Sequence, residues 1–292
     1  MQLHYKIREV TVRSGVAHNG AVQIAYEVFG KPGARPLLLI NGLDGQMIGW
    51  PDGFCESLAE AGFQVVRYDQ RDTGLSTHFT GKKRAYEFAD LIDDMMAVLD
   101  AMGWESANLA GMSSGGGLAQ YAALLHPGRV RTLIPISAVP QYGNPVLLLR
   151  YIRFPGPFRL AFRRYGDSPE DKKRMLMDIT RLGGGRTLPL DEKWLEQIAG
   201  ESVRRHYPDP HSRARQLAAG RAARMPPGGI AGISQPVLAI NGDEDPLIRP
   251  AGGRKIAETV QHGRFVLVHR MGHLFAEPLW PELVALIDQH AI

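Results

Sequence analysis

Gly111-Met112-Ser113-Ser114-Gly115 decides how this chain folds. The five residues read G-x-S-x-G, and their surroundings give the motif its meaning. Ser106 to Ala110 has the apolar character of a strand, and Gly115 to Leu125 that of a helix. A serine between a buried strand and a helix sits on a sharp turn that strains its backbone. Side chains two positions to either side would collide with each other and with the neighbouring strand, so both positions are glycine. The turn leaves the hydroxyl at a helix N-terminus, where the dipole and free N–H groups favour developing negative charge. The serine doublet leaves a choice, and the glycine spacing makes it. Ser113 has glycine at −2 and +2, whereas Ser114 would have Met112 at −2. Ser113 is the candidate nucleophile, and Ser114 the candidate donor of a backbone N–H to an oxyanion.

A hydroxyl is a poor nucleophile until a base takes its proton. On a strand–turn–helix serine the partners follow in chain order, an acid and then a histidine. Met271-Gly272-His273 lies just after the last expected strand, which makes His273 the candidate base. His126 sits at a helix end and His290 in the terminal helix, both suited to capping or surface roles. His269 and His273 have a metal-pair spacing, but a strand followed by a glycine loop does not put them on one helix face, and no other ligand cluster joins them. The acid is expected after the strand Pro236 to Ile240, within Gly242-Asp243-Glu244-Asp245-Pro246-Leu247-Ile248. Its task is to accept the imidazole N–H and fix the tautomer. The Asn-Gly turn before it and Pro-Leu-Ile after it favour Asp245. Asp243 is the runner-up and reads as a turn former. The apolar run Leu37 to Ile40 enters Asn41-Gly42-Leu43-Asp44-Gly45, where Leu43 is the candidate second backbone donor.

Working outward, residues 1–139 alternate strand and helix signals: Val22 to Phe29, Leu37 to Ile40, Gln64 to Tyr68 and Arg131 to Ser137 as strands, with Asp52 to Ala61 and Tyr86 to Met102 as helices. Alternation of this kind predicts a mostly parallel sheet covered on both faces. The pattern breaks over residues 140–232, which carry many arginines, prolines and glycines and helical patches but no buried strand. It resumes over residues 233–292 with strands at 236–240 and 264–268 and helices near 253–260 and 281–290. One α/β core interrupted by a mainly helical insertion accounts for all three parts.

These motifs, in this order, resemble the α/β-hydrolase superfamily over nearly the whole chain. The stretch Arg71-Asp72-Thr73-Gly74-Leu75-Ser76, with Gly49-Trp50-Pro51-Asp52, is similar to the aclacinomycin methylesterase-like subgroup. The resemblance implies an α/β-hydrolase fold, a triad of Ser113, Asp245 and His273, backbone donors at Leu43 and Ser114, and a cap made by residues 140–232. It implies no cofactor and no metal, and a small-molecule ester as substrate. Two positions depart from the family: Asn41 stands where many relatives have histidine, and Ser114 replaces a common methionine. Asp69, Arg71 and Asp72 read as loop ties through charge-assisted hydrogen bonds rather than as reacting groups.

Bulk properties set the remaining bounds. The net charge of +4 is unevenly placed. Residues 141–232 hold about 17 Lys and Arg against about 9 Asp and Glu, and the rest of the chain is net acidic. The arginines at 150, 153, 159, 163 and 164 have three readings: solvated cap positions, an inward anchor for an acidic substrate, or attraction to a membrane surface or polyanion. No stretch has the ~18 apolar residues of a membrane span, the N-terminus has no secretory signal, and nothing resembles a nucleic-acid motif. The single cysteine, Cys55, rules out an intrachain disulfide and fits a reducing, cytoplasmic setting. The chemistry expected is serine ester hydrolysis. The same triad also suits a lactone, an amide, a C–C bond or perhydrolysis, and a non-catalytic ligand-binding protein is the reading from another class. Halide and epoxide chemistry on this fold uses a nucleophilic aspartate, and Ser113 argues against both. Oligomeric state is not legible.

Overall fold

The computed structural model describes residues 12–81, 85–140, 149–153, 163–206, 209 and 211–292. Eight strands form one sheet: β1 (Arg13–Asn19), β2 (Val22–Phe29), β3 (Arg35–Ile40), β4 (Phe63–Tyr68), β5 (Ala107–Met112), β6 (Val130–Ile136), β7 (Val237–Gly242) and β8 (Gly263–Val268). Their spatial order is β1-β2-β4-β3-β5-β6-β7-β8. β2 pairs antiparallel with β1 and β4, and every later pairing is parallel. This is the α/β-hydrolase architecture that the motifs imply.

Buried alternation fixes the register. Leu37 and Leu39 of β3 face one layer of helices while Leu38 and Ile40 face the other, and all four are fully buried. One layer holds α2 (Phe88–Ala101), α3 (Ser114–Leu125) and α7 (Ala251–Thr259), packed on Leu38, Val66, Leu109 and Ala239. The other holds α1 (Asp52–Glu60) and α8 (Trp280–His290), packed on Leu37, Val65, Ile134 and Leu238. β4 and β5 are covered on both faces and buried at every position, which is why they are mostly apolar; of their polar members, Arg67 bonds Glu27 at 2.9 Å and Asn108 the Pro36 carbonyl at 3.0 Å. Gly62 (φ 94°) and Gly103 (φ 66°) end α1 and α2 in backbone that other residues resist. β1 is the one strand not anticipated from sequence. It is an edge strand whose only apolar residues are Val16 and Ala17, of which Ala17 alone is buried, so it lacks the apolar run that marks the others.

The segment joining β6 to β7 carries α4 (Pro169–Leu182), α5 (Glu192–Arg205) and α6 (Ser212–Ala222). α4 starts at a Ser168 cap and α5 at an Asp191 cap, each accepting a backbone N–H three residues on. Part of this segment's positive charge is spent on the core. Arg205 pairs with Asp69 at 2.7 Å, and Arg215 with Asp72 at 2.7 Å; all four side chains are nearly or fully buried. Arg71 pairs with Asp94 of α2 at 2.6 Å. The stretch Asp69 to Asp72 is therefore a knot of charge-assisted bonds between core and insertion. Of the arginines between 150 and 164, Arg163 pairs with Asp178 at the surface, Arg150, Arg153 and Arg164 are exposed, and Arg159 lies outside the described residues.

A second contact between core and insertion is titratable. The His78 and His206 rings stack with centroids 3.4 Å apart and planes 10° from parallel. Burial, and then the facing His78 ring, hold His206 below its ordinary 6.5, against the opposing pull of Asp209 and Asp72. Those two carboxylates are themselves bonded to Arg215, and Arg205 beside His206 is tied to Asp69. The unfolded chain takes up this proton at higher pH than the native chain. Stability is therefore lost as pH drops through 6.5 towards the native value, and is insensitive to this group above that range. The melting temperature is expected to fall between about pH 7.5 and about pH 5.5, and to fall less in His206→Phe. Equal pH slopes in the two proteins would contradict this. Among the described residues, no helix is long and apolar enough to cross a membrane.

Candidate active site

Five non-glycine residues among those described have positive φ: Asp44, Asp72, Ser113, Ser137 and Arg270. Each lies just past the C-terminal end of a different strand, β3, β4, β5, β6 and β8. Such strain persists only where surroundings over-determine it, and its clustering marks one edge of the sheet. The residues singled out by the sequence all lie on that edge.

Ser113 (φ 55°, ψ −118°) forms the turn between β5 and α3, with its N–H held by the Ile136 carbonyl at 2.8 Å. The flanking glycines are required by space. A Cβ on Gly111 would lie 2.4 Å from the Gly115 backbone, and one on Gly115 would lie 2.3 Å from the Ile40 carbonyl oxygen. The turn is thus pressed between its own helix and β3.

His273 and Asp245 meet directly. His273 Nδ1 lies 2.9 Å from Asp245 Oδ2, with the carboxylate side chain fully buried. Asp245 Oδ1 accepts the Leu247 and Ile248 N–H groups at 2.7 and 2.8 Å. Burial alone would raise this carboxyl. The charge and hydrogen bond of His273 and the two backbone donors outweigh it, so Asp245 sits below the usual carboxylate range. An ionised carboxylate only accepts, so Nδ1 carries the imidazole proton and Nε2 is left as a base.

The runner-up acid has other work. Asp243 bonds His269 Nδ1 at 3.0 Å and the Arg270 N–H at 2.8 Å, both exposed, and so pins the loop before His273. Glu244 accepts the Thr187 N–H at 2.7 Å, which ties the insertion to the acid loop. The base loop is tied as well: Leu274 N–H donates to the Gly183 carbonyl at 2.8 Å, and a Cβ on Gly272 would strike Gly184 and Gly185.

The loop after β3 lies against the serine, with the Gly42 α-carbon facing Ser113 Cβ. Asn41 Oδ1 accepts the Gly42 N–H at 2.8 Å, and Asn41 Nδ2 donates to the Gln46 carbonyl. Asn41 thereby shapes the turn from inside. Gly45 N–H returns to Gly42 O at 3.1 Å, and Asp44 N–H goes to Gln216 Oε1 at 2.8 Å. Among the described residues, neither the Leu43 N–H nor the Ser114 N–H has a protein acceptor. No hydrogen bond joins Ser113 to His273 in this state. In free enzymes that contact is commonly long and closes with substrate.

The roles of Asn41, Ser212 and Gln216 were not anticipated from sequence. Asn41 had been noted only as a departure from the family. Ser212 and Gln216 are more than 160 residues from the loop they hold and match no motif.

A family model for the alpha/beta hydrolase fold matches residues 35–277. The chain is 30% identical over 286 residues to rhodomycin D methylesterase DauP of Streptomyces sp. (strain C5), covering 90% of this chain and 93% of that one. It is 31% identical over 294 residues to rhodomycin D methylesterase DnrP of Streptomyces peucetius, covering 93% and 96%. Among solved structures, the esterase RhEst1 from Rhodococcus sp. ECU1013 superposes with a TM-score of 0.75 at 20% identity, covering 96% of this chain and 99% of that one, a likeness of fold.

Proposed function

The chain belongs to the alpha/beta hydrolase fold family, and from that premise we propose that it hydrolyses a carboxylic ester of a small molecule through Ser113, His273 and Asp245. The observation that carries this reading is the His273–Asp245 pair. It leaves one imidazole nitrogen unprotonated on the same sheet edge as a serine held at positive φ. The two methylesterase relatives, similar over nearly their full length, support a methyl ester as the first substrate to try.

Ser113 Oγ attacks the ester carbonyl carbon while its proton passes to His273 Nε2. The carbonyl oxygen becomes an oxyanion and accepts the Leu43 and Ser114 N–H groups, which have no acceptor among the described residues. Each such donor is typically worth ~10²–10³ in turnover. Collapse breaks the C–O bond, and the leaving alkoxide takes the proton from His273. Water, deprotonated by His273, then attacks the acyl-Ser113 ester; the acyl–Oγ bond breaks, His273 returns the proton to Ser113 Oγ, and the acid is released. Asp245 keeps the imidazole in register and offsets its charge in both halves. Residues 140–232 act as the cap that chooses the substrate, anchored beside the base through Gly183 and beside the acid through Thr187. A reducing, cytoplasmic setting fits a chain whose single cysteine, Cys55, cannot form an intrachain disulfide; burial pushes its thiol up to about 12, which keeps it unreactive.

The test is covalent labelling with a fluorophosphonate, read by intact mass and peptide mapping. One adduct on Ser113 is expected, absent in Ser113→Ala and slowed ~10³-fold or more in His273→Ala. A folded wild type that takes no adduct and does not turn over p-nitrophenyl acetate would reject the proposal in favour of a binding protein on this scaffold.

A further inference from the structure

Resting on the reading of Leu43 as an oxyanion donor, we infer that Gln216 of α6 is the positioning residue that holds that donor in place. The argument starts from the loop itself. Three consecutive backbone N–H groups, of Gly42, Leu43 and Asp44, belong to the turn beside Ser113, and two are consumed within the protein. Gly42 N–H is taken by its neighbour Asn41 at 2.8 Å, and Asp44 N–H by Gln216 Oε1 at 2.8 Å. The peptide between them carries the Leu43 N–H, so its orientation is set by what is fixed on either side.

The Gln216 side of this clamp has the harder task. Asp44 has φ 61°, a conformation that an aspartate leaves readily when nothing holds it. Asn41 cannot hold it, because both of its polar side-chain atoms are engaged with Gly42 and Gln46. Two residues of α6, one helical turn apart and so on one face, do the holding. Ser212 Oγ donates to Asp44 Oδ1 at 2.7 Å while Gln216 takes the backbone N–H.

Gln216 is itself rigid. It is 4% exposed, and its Nε2 donates to the Arg71 carbonyl at 3.2 Å. The residue before it, Arg215, is locked to Asp72 by two bonds and to Asp209 by a third. α6 is thus fastened to the Asp69–Asp72 knot, and it transmits that rigidity to the turn facing the nucleophile. A glutamine with an acceptor on one loop and a donor on another does more than fill space. It fixes the separation between the loops after β3 and β4.

Loss of Gln216 frees Asp44 to leave positive φ and turns the Leu43 N–H away from the developing oxyanion. Ground-state binding does not use that N–H strongly, so the loss falls on kcat. Gln216→Met keeps the volume and removes both hydrogen bonds. It is expected to lower kcat on p-nitrophenyl acetate by about 10–100-fold with KM within about twofold, since a displaced donor loses part of the ~10²–10³ that one donor supplies. Affinity for a phenylboronic acid, whose tetrahedral adduct on Ser113 needs the same donor, is expected to weaken by a similar factor. Gln216→Glu retains an acceptor for the Asp44 N–H but loses the donor to the Arg71 carbonyl, and is expected to recover only part of the loss. Should the Met variant not fold, Gln216→Leu takes its place. Wild-type kcat in a folded Met or Leu variant overturns the inference, as does a loss of kcat with boronic acid affinity unchanged. If the wild type itself neither labels at Ser113 nor turns over the ester, the triad proposal fails and takes this inference with it. A normal wild type with an unaffected variant overturns the positioning role alone.

Discussion

Asp245→Asn is expected to lower kcat by about 10⁴ while leaving KM and folding close to wild type. The reason is how the carboxylate is held. Oδ1 already accepts the Leu247 and Ile248 N–H groups, so the asparagine carbonyl must occupy that position. Its amide NH2 then faces His273 Nδ1, which has to accept. The imidazole proton moves to Nε2, the atom required as the base, and the ring is present in the wrong tautomer. Steady-state kinetics on an activated ester, with a melting curve as control, measure this. Asp243→Asn is the matched comparison and should cost less than about threefold, because Asp243 pins the loop without touching His273. If the two effects were reversed, the acid would have to be reassigned to Asp243.

The largest stability effect is expected at Arg215. This guanidinium has no exposed side-chain surface, and neither has its partner Asp72. Asp72 accepts two bonds from Arg215, at 2.7 and 2.9 Å, and the Phe79 N–H at 2.8 Å. Arg215→Met leaves a buried carboxylate with one backbone donor and no counter-charge. Removing one partner of a buried pair typically costs about 3–5 kcal/mol, which for a chain of this size lowers the melting temperature by about 6–15 °C. Adding Asp72→Asn removes the orphaned charge, so the double variant should melt above Arg215→Met alone. A single variant within about 2 °C of wild type would show that water reaches Asp72 and relieves it.

The candidate triad of Ser113, His273 and Asp245 could be proposed from sequence because each requirement is local. A glycine two residues either side of a serine, and an acid and a histidine just past strands, can be read within a few residues. The interior strands were legible for the same reason: Leu37 to Ile40 and Val237 to Ile240 are apolar on both faces. β1 was not, because Val16 and Ala17 are its only apolar residues, whereas β8, the other edge strand with a single buried residue, still carries the run Phe265 to Val268. The holding shell was not legible either. Gln216 and Asp44, Arg215 and Asp72, and Arg205 and Asp69 are each separated by well over 100 residues. Nothing in a local window distinguishes these arginines from the exposed Arg163 or Arg174. The surplus of positive charge in residues 141–232 did point to a boundary. That some of it is paired with core carboxylates is visible only in three dimensions.

The contacts of Gly183, Thr187, Arg205, Ser212 and Gln216 bear on how this protein could acquire new substrates. A selectivity segment that merely rested on the core could be exchanged between relatives as a cassette. Here the segment joining β6 to β7 touches the His273 loop, the Asp245 loop, the Asp69–Asp72 knot and the turn facing Ser113. A chimaera cut at its two ends would inherit foreign fastenings at all four places and would misalign its chemistry before its new pocket was ever tested. Productive recombination has to carry these five positions with the core and vary what lies between them. On the proposed mechanism the natural unit of inheritance is the candidate triad together with its braces, and the interchangeable unit is smaller than the segment joining β6 to β7.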